Sequence, residues 1–314
     1  MSSNISFSAL TLLHLEKLNL SSHIYMYLML IFVTLLYVVM ILCNMMVLLA
    51  IAWCKELHQP MFILLFSLPI SDMIGATAFF PQLLWSIATQ NSSIPYAACF
   101  IQAYLIHVYG TGNLMILSVM AYDRYIAICF PLRYHEILSP LTLVKMILSV
   151  WVITLSVMGS VFLLHKQYKI CRTNIVDFYC NNPSLLKLMC GETNVSNYYG
   201  LVFIVLVQGA PLAMMVYTYA QILYVCVSTK STDARQKAIQ TCSSHLLVYI
   251  LLQVNTLFTL LAHRNPNVHP SIRRAFGLSV LVFPPLLDPI IYGLRVKKLK
   301  KGLKMLLKSQ CFYK

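Results

Sequence analysis

Charged side chains are scarce in this sequence, and acidic ones are the scarcest. They make up only 10% of the 314 residues, with 9 Asp and Glu against 23 Lys and Arg. A soluble globular domain carries about 25% charged residues. Hydrophobic residues reach 59%, and the mean hydropathy is +0.75. So little charge excludes a water-soluble globule and predicts a protein that crosses a membrane several times.

A basic stripe interleaved with aromatic residues is also missing. The formal net charge is +14, but the Lys and Arg residues stand in short loops between apolar runs and in one tail. A nucleic-acid strand would find no continuous basic surface to follow, so we expect no nucleic-acid partner. Basic loops that face anionic lipid account for the charge instead.

Signatures of enzymes and transporters are lacking too. The sequence has no His-Glu-x-x-His motif, and its only paired membrane acids, Asp72 and Asp288, stand in no protease-type context. A transporter is a remote alternative, because it would show internal repeats and seven spans do not divide evenly. A retinal pigment would need a lysine in the seventh span, where Arg273 and Arg274 are the only basic residues.

What the sequence does contain is seven long apolar runs. Each can cross a hydrocarbon core of about 30 Å. They cover approximately residues 25–53, 60–88, 99–130, 142–164, 198–227, 238–262 and 272–294. We therefore expect an amino-terminal tail over 1–24, a seven-span domain over 25–294 and a cytoplasmic tail over 295–314. Lysines alternate with Leu and Met in the last part, which predicts an amphipathic helix lying on membrane lipid.

Glycosylation patterns indicate the orientation of the seven spans. Four Asn-x-Ser sequences all fall on one side of the predicted topology, at Asn4, Asn19, Asn91 and Asn194. The short basic loops and the basic tail fall on the opposite side, which the positive-inside rule makes cytoplasmic. Basic residues also occur on the first side, so the glycosylation patterns carry more weight. The sequence predicts a plasma-membrane protein whose amino terminus is extracellular.

Four motifs resemble those of the olfactory (odorant) receptors, a branch of the rhodopsin-like G-protein-coupled receptors. They are LHQPMF at 57–62, MAYDRYIAIC at 120–129 followed by PLRY, KAIQTCSSHL at 237–246 and PPLLDPIIYGL at 284–294. The pair His263-Arg264 and the two prolines before Asp288 are most similar to the aquatic, or class I, branch. The resemblance implies an all-α, rhodopsin-like seven-helix bundle that binds a small odorant and activates a stimulatory, cyclic-AMP-raising G protein without a cofactor.

The resemblance also implies an activation switch. Arg124 would be held by Asp123 and by Ser243 or His245 in the resting state, and an odorant would favour outward movement of the sixth span. Tyr219 and Tyr292 would then approach Arg124. The residues assigned to this switch are Asp123, Arg124, Tyr125, Tyr219, Ser243, His245, Asp288, Pro289 and Tyr292.

Cysteine pairing is another implication of the resemblance, which pairs Cys99 with Cys180 and Cys171 with Cys190. The four residues alone allow three connectivities. Oxidising conditions outside the cell permit either bridge.

Asp72 is a carboxylate inside the second span, and such a residue is functional by default. It could form a cation site or a hydrogen-bond switch, or it could be a protonated, structurally paired acid. The wider family usually has Asn at the position of Asp288, so two acids could share a proton or hold a cation here. We expect a possible allosteric sodium site at Asp72, Asn113 and Asp288.

The ligand pocket is expected in the outer half of the bundle, between the third, fifth, sixth and seventh spans. Most of the candidate residues are apolar, which suits a small lipophilic ligand. The candidates on the third span are Tyr104, His107, Val108 and Thr111. The resemblance adds Phe203, Val207 and Gln208 on the fifth span and Gln253, Thr256, Leu257 and Leu260 on the sixth, and Arg264 at the end of the sixth is a further candidate. Arg264 could pair with a carboxylate ligand, or it could be a solvated loop arginine. His107 could contact the ligand or be a core histidine bonded to the long loop.

A non-olfactory rhodopsin-like receptor for another small ligand is the main alternative. An amine receptor would have an Asp below Cys99 on the third span, in the region where Ile106 stands.

Overall fold

The computed structural model describes residues 11–18, 22–191, 194–228, 232–265 and 267–308. Within these ranges the chain is mostly helical. The α-helices in chain order are α1 (His23–Trp53), α2 (Pro60–Leu65), α3 (Ser67–Thr89), α4 (Tyr96–Cys129), α5 (Tyr134–Ile137), α6 (Pro140–Leu163), α7 (Asn182–Leu188), α8 (Asn194–Ser228), α9 (Thr232–Arg264), α10 (Pro270–Arg295) and α11 (Lys297–Leu307). Two short strands are β1 (Leu12–His14) and β2 (Ser93–Pro95).

Seven helical segments of the described chain are long and apolar enough to cross a membrane, which confirms the predicted seven-span fold. The spans are α1, α2 with α3, α4, α6, α8, the second part of α9, and α10. α9 starts at Thr232, earlier than the apolar run near 238. The reason is that a run of apolar residues marks only the part in hydrocarbon, whereas backbone hydrogen bonding carries the helix further.

Prolines explain where several helices begin. Pro60 and Pro140 occupy the first helical turn, where the missing N–H would have had no partner. The Ser139 hydroxyl caps α6 by accepting from the Thr142 N–H at 3.3 Å. Pro69 lies in the first turn of α3, immediately after the break that divides the second span. The sequence thus encodes these boundaries locally.

α4 forms the axis of the bundle. In its apolar window 67% of the residues are buried, against 11% for α1 on the periphery. We call the end of the bundle that carries residues 164–194 the upper end, and the end near Arg124 the lower end. The loop between α6 and α8 crosses the upper end, and a disulfide joins its Cys180 to Cys99 at the start of α4. A second disulfide joins Cys171 to Cys190 within the loop.

A short amino-terminal segment is also part of the upper end. β1 pairs antiparallel with β2, placing Leu13 opposite Ile94. Leu13 and Leu15 are buried. The Glu16 N–H donates to the Asp177 carbonyl at 3.1 Å, and the Glu16 carboxylate pairs with Arg274. This segment therefore packs directly on the loop that covers the bundle.

The lower end carries α11, which packs sideways against the bundle. Leu299 and Gly302 are buried, whereas most of its lysines are exposed. A Cβ built on Gly302 would come within 2.6 Å of Leu57, so only glycine allows this approach. Lys301 pairs with Glu56 at 2.8 Å. The helix is amphipathic, as the alternation of lysine and leucine predicts.

Candidate ligand cavity and activation switch

A cavity of about 120 Å³ lies in the upper half of the bundle. On the same measure one water molecule needs about 10–15 Å³, so the cavity can hold a small organic molecule. Its walls come from α4, α6, α8, α9 and α10, and the loop after α6 forms the roof together with the start of α7. The lining is mostly apolar, with a few polar and charged side chains among the apolar ones.

Eight of the twelve residues proposed as ligand contacts line this cavity. They are His107, Thr111, Phe203, Val207, Gln208, Thr256, Leu260 and Arg264. The other four, Tyr104, Val108, Gln253 and Leu257, are not among the lining residues. Tyr104 donates to the Leu155 carbonyl at 3.3 Å, and Gln253 donates to the Gln208 carbonyl at 3.3 Å. Adjacent side chains point about 100° apart around a helix. A small error in the predicted rotation of a helix therefore assigns single residues to the cavity wrongly.

The roof and α10 supply cavity residues that the sequence reasoning missed. From the loop and the start of α7 come Tyr179, Asn181, Asn182 and Pro183, and from α10 come Gly277, Val280 and Leu281. A disulfide from Cys180 to α4 places its neighbours over the bundle. The implied pairing with Cys99 was therefore a signal that could have identified Asn181 and Asn182.

Arg264 lies at the upper edge of the cavity and is only partly exposed. Its Nη1 donates to the Asn197 side-chain oxygen at 2.6 Å and to the Asn197 carbonyl at 3.2 Å. Its Nε is buried without a hydrogen-bond partner among the described residues. A guanidinium that lines a cavity with one N–H unpaired can still bind an anion.

The His107 ring lies between α4 and the end of α6. Its Nδ1 is 2.8 Å from the Ala103 carbonyl, one turn earlier, and its ring packs edge-on against Phe162. Gln208 on α8 donates to the Thr256 hydroxyl on α9 at 3.2 Å. These two features place a few polar groups in an otherwise apolar wall, as expected for a site that orients a small ligand.

Asp177 is a buried carboxylate in the roof that the sequence reasoning did not single out. Asn181 Nδ2 donates to its Oδ2 at 3.1 Å, and Ser184 donates to the same oxygen. Burial opposes ionisation, but the nearby His263 and the hydrogen bonds from Ser184 and Asn181 outweigh it and hold the pKa of Asp177 well below its usual range. The carboxylate is therefore charged at neutral pH.

At the lower end, Asp123 and Arg124 form an ion pair. Asp123 is fully buried, and its other carboxylate oxygen accepts a 2.7 Å hydrogen bond from the Tyr134 hydroxyl on α5. The predicted contact between these two neighbours is therefore present. A buried carboxylate with two partners holds its arginine firmly in this state.

The aromatic residues predicted for the switch lie at the same lower end of the bundle. Tyr219 donates to the Cys242 carbonyl at 2.9 Å and contacts His245 Nδ1 at 3.1 Å, so it bridges α8 and α9. Tyr292 is buried on α10 without a hydrogen-bond partner for its hydroxyl in the described chain. Tyr125 packs against Tyr217 and Phe130. Ser243 is exposed on α9, and Pro289 lies buried beside Asp288.

The three residues proposed for sodium lie buried in the middle of the bundle. Asn113 Nδ2 donates to Asp72 Oδ1 at 2.7 Å. Asp72 Oδ2, Asn113 Oδ1 and Asp288 Oδ2 are buried without hydrogen-bond partners in the described part of the chain. Three unpaired oxygens are the ligand type that a hard cation prefers. Among the described residues no group of three His, Cys, Asp or Glu side chains forms a metal site.

The glycosylation patterns are only partly within the described residues. Asn91 is exposed, and its side-chain oxygen accepts from the Ser93 N–H at 3.0 Å. Asn4 and Asn19 lie outside the described residues, as does the side chain of Asn194.

A profile of the olfactory receptor family matches residues 32–310. The chain belongs to the olfactory receptor family. It is 32% identical to "Olfactory receptor 1M1" of Mus musculus over 274 residues, covering 87% of each chain. It is 34% identical to "Olfactory receptor 52B2" of Homo sapiens over 272 residues, covering 85% of this chain and 84% of the relative. Membership makes this olfactory receptor a multi-pass G-protein-coupled receptor and not an enzyme.

Proposed function

We propose that this olfactory receptor binds a small organic acid in the upper cavity and activates a stimulatory G protein at its lower end. The observation that carries the proposal is the position of Arg264 at the polar edge of an apolar cavity. An acid of moderate size would place its chain among Phe203, Val207 and Leu260 and its carboxylate near Arg264. Bidentate pairing of a guanidinium with a carboxylate is strong and directional. The pair His263-Arg264 also supports assignment to the class I branch.

The upper end faces the outside of the cell in this proposal, with the receptor in the plasma membrane. The exposed Asn91 and the two disulfides at the upper end support this orientation, because glycosylation and disulfide formation occur on the outer side. The basic helix α11 supports it as well, since positive charge is favoured on the cytoplasmic side. The amino-terminal segment is then extracellular, and α11 lies on the inner leaflet.

Activation is a population shift between two states of the bundle. The ion pair of Asp123 with Arg124 and the bridge from Tyr219 to α9 stabilise the resting state. An acid that contacts Arg264 at the top of α9 favours a state in which the lower part of α9 moves outward. Arg124 is then released and contacts a helix of the G protein. The ligand must bind this state more tightly than the resting one, or it shifts nothing.

A sodium ion at Asp72, Asn113 and Asp288 is part of the proposal. The ion would supply positive charge to two buried carboxyl groups that otherwise repel each other. The chain itself supplies oxygens from α3, α4 and α10, so a bound ion would hold these three helices in the resting arrangement.

Cyclic AMP in cells that co-express the receptor with an olfactory-type stimulatory G protein tests the proposal. Carboxylic acids are compared with matched alcohols and esters, and with amines, at equal surface expression. We expect responses to acids that are lost in Arg124→Ala and weakened by about 1.5–3 kcal/mol, or more than tenfold, in Arg264→Gln. Arg172→Gln, which alters an exposed arginine of the same loop region, is the control. An unchanged acid response in Arg264→Gln would disprove the ligand assignment.

A further inference from the structure

The roof of the cavity contains a charged cluster that the proposed function does not use. Asp177 Oδ2 lies 3.6 Å from His263 Nε2, and Asp177 Oδ1 lies 3.7 Å from Arg273 Nε. The three side chains are at most 8% exposed. Asp177 belongs to the loop, His263 ends α9 and Arg273 lies in the first turns of α10. One buried carboxylate therefore links the loop to the sixth and seventh spans.

Each ring nitrogen of His263 faces an oxygen atom that can accept a hydrogen bond. Its Nδ1 is 2.8 Å from the Thr259 carbonyl oxygen, which can only accept, so Nδ1 must carry a proton. Its Nε2 faces the Asp177 carboxylate, which at neutral pH also only accepts. In the neutral ring Nε2 would then turn a lone pair towards a carboxylate oxygen. Only the imidazolium form places an N–H on both nitrogens.

Charged and titratable groups near Asp177 and His263 oppose or favour a proton on the histidine. The neighbouring groups are Asp177 on the loop, His107 on α4, Lys187 on α7, Arg264 on α9 itself and Arg273 on α10. Arg264 is engaged with Asn197, and Arg273 faces the other oxygen of Asp177. The burial of Lys187 and its proximity to Arg273 lower the pKa of that lysine. Asp177 is the group in this set that favours the charged form of His263.

We propose that Asp177 and His263 form a proton-binding site that fastens the roof of the cavity to α9 and α10. With the proton bound, the loop and the upper ends of both spans are held by an ion pair. Without it, Nε2 and the carboxylate repel each other and the roof loosens. Histidine side chains change charge between about pH 5 and 8, so acid outside the cell stabilises the closed roof. The site does not depend on the identity of the odorant.

Thermal unfolding of the purified full-length receptor at pH 5.5 and pH 8.5 tests the site. The quantity compared is the difference in unfolding temperature between wild type and His263→Gln, because this difference cancels the titration of all other groups. A proton that is bound more tightly in the folded state than in the unfolded state stabilises the folded receptor at pH values below the ordinary histidine pKa. This stabilisation is lost as the pH rises. We expect the difference to be about 2–4 °C larger at pH 5.5 than at pH 8.5.

Two further variants keep the test decisive. Asp177→Asn removes the charge but retains hydrogen bonding, and in its background His263→Gln is expected to lose its dependence on pH. His23→Gln, an exposed histidine at the start of α1, is expected to produce no pH-dependent difference. An equal effect of His263→Gln at both pH values would overturn the proposal. A pH-dependent effect that persists in the Asp177→Asn background would overturn the role of Asp177.

Discussion

The Tyr134 hydroxyl donates a 2.7 Å hydrogen bond to the same Asp123 carboxylate that holds Arg124. Tyr134 comes from the short helix α5, outside the seven spans. In the proposed switch, the resting state therefore depends on a loop element as well as on α4. Since Asp123 is fully buried, the loss of either partner would leave a buried carboxylate oxygen unpaired and destabilise this arrangement.

Tyr134→Phe is expected to raise signalling in the absence of ligand. The variant leaves one oxygen of a buried carboxylate unpaired, which costs about 1–3 kcal/mol in the resting state. In the active state Arg124 is released and this contact is already rearranged, so the variant destabilises the resting state more than the active one. Basal cyclic AMP at matched surface expression measures the effect. Tyr224→Phe, which alters a tyrosine 72% exposed on α8, is the control. Equal basal signalling in both variants would exclude Tyr134 from the switch.

His165 is expected to make the receptor less stable in mild acid. Burial and the nearby His107 lower the pKa of His165 to about 4, although a hydrogen bond with Asn182 partly opposes this. An unfolded histidine titrates near pH 6.5. Between these values the unfolded chain binds more protons, so stability falls with falling pH by up to about 1.4 kcal/mol per pH unit.

Thermal unfolding of wild type and His165→Phe between pH 7 and pH 4.5 measures this contribution. The phenylalanine retains packing against Phe100 and Phe162 and cannot titrate. We expect the fall of the unfolding temperature in acid to be smaller in His165→Phe, and unchanged in His23→Gln. The same acid sensitivity in His165→Phe as in wild type would contradict the prediction.

Sodium is expected to raise the unfolding temperature through Asp72. A ligand that binds only the folded state stabilises it by RT ln(1 + [L]/Kd). Replacing choline chloride by sodium chloride at constant ionic strength should therefore stabilise wild type and leave Asp72→Asn unaffected. Glu136→Gln, which removes an exposed carboxylate, should respond as wild type does. Equal sodium responses in wild type and Asp72→Asn would rule out the site.

Gly75→Ala is expected to destabilise the packing of α3 against α4. A Cβ at Gly75 would lie 2.5–2.7 Å from ring atoms of Tyr109, and that tyrosine is fully buried. Overpacking of this kind costs about 1–3 kcal/mol. Gly209→Ala has no atom within 4 Å of its Cβ, and alanine favours a helix, so that variant should be neutral or more stable. Thermal unfolding of the two variants distinguishes a packing effect from a general effect of glycine replacement.

The seven spans and the family could be recognised from local sequence. A run of about 20 apolar residues identifies a span whatever surrounds it, because the bilayer sets the required length. The motifs at 57–62 and 120–129 are equally local. The pocket was predicted less completely, since Tyr104 and Gln253 bond to neighbouring helices while Asn182 and Val280 line the cavity.

The sequence by itself determined the number of spans, the helix start at Pro60 and the contact between the neighbours Asp123 and Arg124, since neighbouring residues and segment length decide these features. Only the tertiary structure decided which face of each helix borders the cavity and that Asp177 meets His263 and Arg273. These contacts join residues 86 and 96 positions apart along the chain. They depend on helix rotation and on the loop path that the disulfide to Cys99 imposes, and no local pattern encodes either.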